Sequence, residues 1–175
     1  PYPNASYDSL KDILFIRQML LNPPVILEPK SNKRTGTFIK INENPMDIVK
    51  LNPAEWICYP ARVGKLIINI YFHESFYELG FSLCNLFDIA DDEELTRKPD
   101  AIYLYGVPGT ELDRFGEVPA VFYDDRENDI LVAACPMRPM FGYFGYLKKM
   151  VLTLHNAAII GNGMLPYHGA MVKVL

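Results

Sequence analysis

The stretch KLIINIYF, residues 65–72, is almost continuous in β-branched and aromatic apolar side chains. A strand with one wet face would alternate apolar and polar residues, so this run reads as a strand buried on both faces. Such a strand requires a sheet with a covering layer on either side. The next segment supplies a cover: ESFYELGFSLCNLF, residues 74–87, spaces its aromatic and leucine side chains at helical intervals.

More strands are expected in DAIYLYG (100–106), PAVFYDD (119–125) and DILVAAC (129–135), the last two flanking a polar turn as a hairpin. In residues 146–160, Leu147, Met150, Val151, Leu154, Ala157 and Ala158 share one helical stripe, and Gly161-Asn162-Gly163 supplies a left-handed stop. Nearer the N-terminus, a helix around residues 10–20 is expected, capped by Ser6 or Asp8 and stopped by Pro23-Pro24. Short strands in VILEP and TFIKIN follow, and NPMDIVKLNPAEW (44–56) reads as turns with one helical turn. DIADDEELTRKP (88–99) reads as a solvated acidic connection with a capped turn. The sum is a mixed α/β or α+β fold, a mixed β-sheet flanked by two or three helices. With 175 residues, half of them hydrophobic, and no shift in composition, one domain over residues 1–175 is expected.

The net charge of −4 arises from 17 basic and 21 acidic residues spread along the chain, which offers no basic face to a phosphate backbone. Nucleic acid is therefore not an expected partner. No apolar run approaches the roughly 20 residues of a membrane span, and no signal pattern opens the chain. Cys58, Cys84 and Cys135 are odd in number and widely spaced, which points to a reducing compartment, the cytoplasm. With His73 they offer no Cys-x-x-Cys or His-x-x-x-His spacing for zinc, so buried apolar cysteines are expected. The start at Pro1 and the alternating AMVKVL at the other end read as a piece of a longer protein.

The most unusual feature is the pair Lys148-Lys149 in the expected first turn of the helix over 146–160. A helix N-terminus is partially positive, so acids are the ordinary choice there. An anion or a metal-phosphate complex at the helix start would account for two lysines. The same field favours the neutral amine, the form that ligates a metal, which makes Lys149 a candidate ligand. His168, on the alternating strand pattern LPYHGAMVKVL, is the candidate second ligand as a neutral imidazole. The plainer reading is a pair of solvated lysines and a satisfied histidine.

YFGYLKKMVLTLHNAAIIGNGMLPYHGA, residues 143–170, resembles a segment of the ATP-dependent phosphoenolpyruvate carboxykinases: Tyr-x-Gly-x-x-Lys-Lys, an apolar helix with a central Asn, then Gly-x-x-x-x-His. Tyr143, Gly145, Lys148, Lys149, Asn156, Gly163 and His168 fit it without a gap. CNLFDIADDEELTRKPDAIYLYGVPG and PAVFYDDRENDILVAAC are similar to the family's preceding acidic run, strand and hairpin, so the resemblance covers roughly residues 66–175. It implies the family's N-terminal mixed-sheet domain, with Lys149 and His168 as catalytic ligands of manganese or magnesium. It further implies Tyr143 against the substrate, with Lys148 and Asn156 in the substrate site.

Three departures accompany the resemblance. The family continues into a Gly-x-x-x-x-Gly-Lys-Ser/Thr phosphate loop and a metal-binding aspartate, whereas this chain offers only GVPGTE, without a lysine. ATP or GTP would therefore bind only through a C-terminal nucleotide-binding domain. Where the family has an arginine after a Thr-Gly pair, this chain has Thr37, and Arg34 before the pair is the candidate for holding a carboxylate. Tyr146 replaces an acidic residue, and Gly169-Ala170 follow the histidine. The expectation is a domain inactive alone that serves decarboxylation and phosphoryl transfer on an oxaloacetate-like carboxylate. The alternative is a non-catalytic binding or regulatory domain on the same scaffold. A kinase of the protein-serine kinase type is disfavoured by the Lys149–His168 unit.

Overall fold

Residues 38–117 and 119–167 are described by the structure, a computed structural model, and all belong to one compact unit spanning residues 35–175. They form strands β1 (Phe38–Lys40), β2 (Trp56–Val63), β3 (Leu66–His73), β4 (Asp88–Ile89), β5 (Ala101–Val107), β6 (Ala120–Asp125) and β7 (Ile130–Pro136). The helices are α1 (Pro45–Ile48), α2 (Tyr77–Phe81) and α3 (Phe144–Gly161). The helix expected over residues 10–20 and the strand VILEP lie outside the described residues.

This is a mixed α/β protein. Its seven-stranded sheet runs β1-β6-β7-β5-β3-β2-β4. β3, β5 and β7 are parallel neighbours, β1 is parallel to β6, and the β2–β3, β2–β4 and β6–β7 pairs are antiparallel. Ile67, Ile68, Ile70 and Phe72 of β3 are all buried, as its unalternating sequence requires.

The sheet carries a core on each face. Ala101, Tyr103 and Tyr105 of β5 meet Leu147, Met150, Val151 and Leu154 of α3, together with Leu83 and Phe87. Leu104 and Val107 point the other way, toward Ile41, Val49, Leu112 and Val121. Val107 would fall on the Tyr105 face by simple alternation. The register shifts between those two residues, and Gly106, at φ 95°, is the bulge that re-phases the strand.

Two elements differ from expectation. Residues 74–87 do not form one helix: 3-10 turns at Glu74–Phe76 and Ser82–Asn85 bracket the five-residue α2. The segment hugs β3 so closely that a Cβ on Gly80 would come within 2.4 Å of the Phe72 ring. Residues 56–63, left without a strand by the sequence reading, pair with β3 along their whole length through a turn at Gly64 (φ 66°). Pro60 lacks a donor and argues against a central strand. Here its carbonyl accepts from the Ala90 N–H at 2.9 Å, so its imide nitrogen also faces the short β4 side and β3 loses no bond.

The acidic connection is a capped turn as expected: the Asp91 N–H donates to Glu94 and the Glu94 N–H to Asp91, at 3.0 and 2.9 Å. The cysteines depart from expectation, since Cys135 is buried while Cys58 and Cys84 are exposed at the surface. Both lie outside the core, Cys58 on β2 beside its cross-strand neighbour Tyr71. Among the described residues, no helix is long and apolar enough to cross a membrane.

Buried phenols give the fold an alkaline limit. Tyr59 donates its hydroxyl to the Phe87 carbonyl at 2.5 Å. Burial, with added repulsion from Cys84 and Asp88, pushes its titration up to about 12. The unfolded phenol ionises near pH 10. The stability held by the neutral form is therefore complete below about pH 10 and lost as pH rises toward about 12. Thermal melts followed by circular dichroism are expected to fall in Tm across that window, with a shallower slope in Tyr59→Phe.

Candidate functional site

The site expected from sequence is built on α3. Its N-cap is Tyr143, in extended conformation (φ −139°, ψ 126°) and with no side-chain cap hydrogen bond. A Cβ on Gly145 would come within 2.0 Å of Tyr143 Cε1, so the tyrosine ring lies in the space that glycine leaves open. The Tyr-x-Gly spacing is thus a steric unit that fixes Tyr143 at the helix entrance, half-buried against the main core. The other end closes as expected. The Gly163 N–H donates to Ile160 and the Met164 N–H to Ile159, at 2.9 and 3.0 Å, with Gly163 at φ 73°, the paired bonds of a Schellman stop.

The helix start corrects one expectation. Because α3 begins at Phe144, Lys148 and Lys149 lie in its second turn rather than its first. The field of the helix terminus fades within the first turn, so it does not by itself favour a neutral Lys149. The backbone also separates the two lysines, which stand about 100° apart around the axis. Lys149 is exposed and Lys148 half-buried. Among the described residues neither makes an ion pair, whereas Arg62, Arg97, Arg114, Arg126 and Arg138 each have an acidic partner.

The sequence around them offers no acidic neighbour. From residue 130 to 175 there is no aspartate or glutamate, while Arg138, Lys148, Lys149 and Lys173 all lie there. The charges are not spread evenly, contrary to the expectation drawn from the totals.

Lys148, Leu152, His155 and Asn156 share one flank of α3 and line a groove of about 340 Å³. Its opposite wall comes from Val63, Leu86 and Phe87, and its end from Pro166 and Tyr167. His155 Nδ1 lies 3.3 Å from Asn156 Oδ1, with donor and acceptor roles set by the ring's tautomer. His155 was missed by the sequence reading, although its i,i+7 spacing from Lys148 was the available signal.

Of the residues proposed from sequence, the structure therefore brings Lys148 and Asn156 to one groove. Lys149 and Tyr143 do not line it. His168, Arg34 and Thr37 lie outside the described residues, and the Lys149–His168 pair with them. Among the described residues no group of three or more His, Cys, Asp or Glu is placed to hold a metal ion. Tyr146 is buried edge-on to Phe141 at 4.7 Å, and its carbonyl accepts from the Tyr103 hydroxyl at 3.3 Å. In this chain that position belongs to the core.

A second cluster imitates catalytic geometry. His73 has Nδ1 at 3.0 Å from Ser75 Oγ and Nε2 at 3.7 Å from Glu55. The Ser75 backbone N–H also donates to Nδ1, at 3.1 Å, and the trio caps the 3-10 turn after β3. Its geometry is that of a cap.

Fold and site together define a mixed α/β protein whose long helix carries, on different flanks, two lysines without an ion pair among the described residues. No family model and no curated protein matches the chain.

Proposed function

We propose that this chain is the N-terminal substrate- and metal-site domain of a phosphoenolpyruvate carboxykinase-like protein. The observation that carries the reading is the steric unit of Tyr143 and Gly145 followed by Lys149, exposed and without an acidic partner among the described residues. An unpaired amine is the form of lysine that a cation can recruit once its proton leaves. In this reading Lys149 and His168 hold manganese or magnesium through neutral nitrogens. Tyr143 borders the carboxylate substrate. The metal, when bound, offsets negative charge developing on the substrate oxygen. Loss of carbon dioxide leaves an electron pair on the substrate, and the resulting enolate oxygen takes the γ-phosphoryl group as its bond to the β-phosphate breaks. ATP or GTP is held by a C-terminal domain of the same cytoplasmic protein.

Manganese titration of the full-length protein tests this. Lys149→Ala and His168→Ala are each expected to weaken affinity by at least tenfold, and unchanged affinity in both overturns the metal site. A second reading, a binding or regulatory domain on the same scaffold, is favoured by the burial of Tyr146 where the family has an acid.

A further inference from the structure

We propose that the groove on the Lys148 flank of α3 binds a small organic carboxylate with an apolar body and a hydrogen-bonding group at its far end. The inference is independent of the metal reading, since it needs neither Lys149 nor a cation.

The groove offers three chemistries in sequence. At one end stands Lys148, whose ammonium has no acidic partner among the described residues. The nearest acid in sequence to the opposite wall, Asp88 after Phe87, is engaged by Arg62 at 3.4 Å. Lys148 is the groove residue nearest the start of α3, and an anion in the groove can lie beside its ammonium. Between the two ends, Leu152, Leu86 and Phe87 supply apolar lining. Leu86 is 45% exposed, an apolar surface that a ligand would cover. At the other end are His155 and Asn156, about 10–12 Å along the axis from Lys148 at about 1.5 Å per residue. His155 turns Nδ1 to Asn156 Oδ1 at 3.3 Å, which leaves Nε2 as the ring nitrogen for a ligand.

A volume of about 340 Å³ lies at the lower end of the roughly 300–1,000 Å³ typical of ligand sites. The occupant is therefore small. A lone inorganic anion would use Lys148 and leave the apolar middle empty, whereas a neutral apolar molecule would leave the lysine unpaired. Only a molecule with both parts satisfies the groove. A hydroxyl at its far end would hydrogen-bond His155 Nε2 in either tautomer, since it both donates and accepts.

4-Hydroxyphenylacetate has this build and serves as the probe, with 4-hydroxyphenylacetamide and phenylacetate as controls. Amide-resolved NMR titration of the whole chain should show shifts at Val63, Leu86, Leu152 and Asn156. Binding should be at least tenfold weaker for the neutral amide and for Lys148→Met. His155→Phe should weaken the hydroxylated probe several-fold while leaving phenylacetate unchanged. Equal affinity for acid and amide by the unmodified chain overturns the proposal without reliance on any variant, as does saturation by phosphate that competes with the probe at equal strength. Shifts confined to other parts of the chain overturn it as well.

Discussion

Gly106→Ala is expected to destabilise the protein strongly, with a fall in the urea midpoint as the direct reading. Gly106 sits at φ 95°, a region costing a residue with a side chain on the order of 1–3 kcal/mol. The new methyl would also meet Phe76 Cδ2 at 2.7 Å and His73 Cβ at 3.1 Å. Phe76 cannot simply swing aside, because its ring is packed on Tyr105 with centroids 4.9 Å apart. Overpacking of this kind costs roughly 1–3 kcal/mol more. Against a typical total stability of about 5–15 kcal/mol, the combined loss is a large share. A midpoint within error of the unsubstituted chain would show that the bulge is not needed, and that Val107 reaches the second core by another route.

What the sequence showed and what it hid follow from how local each signal is. The run at β3, the hairpin β6–β7 and the stripe of α3 were legible because burial leaves a periodic record in neighbouring residues. β2 was hidden by Pro60, whose harmless orientation depends on Ala90, thirty positions away. The start of α3 was misplaced because no Ser, Thr, Asp or Asn marks it. A tyrosine ring folded over a glycine leaves no such signature. The groove was beyond reach, since Val63, Leu86 and Phe87 meet Lys148 only through the packing of distant segments. The charge asymmetry was different: it stood in the sequence and was averaged away by the total. Residue order carried the information that composition lost, and it singles out the same helix whose two ammonium groups have no acidic partner among the described residues.

Leu154→Ala is expected to destabilise the protein by about 2–5 kcal/mol and to weaken ligand binding in the groove beyond what the lost stability explains. Leu154 is fully buried, and with Leu147, Met150 and Val151 it anchors α3 to the sheet. Each such side chain holds the helix down by roughly 1.5–3 kcal/mol, so no single replacement should release the whole helix. Leu154 is, however, the last fully buried anchor: Ala157 and Ala158 beyond it are only partly buried, and Ile160 is 61% exposed. Its loss loosens the turn that carries His155 and Asn156 while leaving the Lys148 end seated. The expected signature is faster amide exchange from residue 155 onward, with protection retained at residues 147–151. Affinity for 4-hydroxyphenylacetate should then fall toward that of phenylacetate. If exchange instead rises uniformly along α3, the helix detaches as a rigid unit and the two ends of the groove cannot be uncoupled in this way.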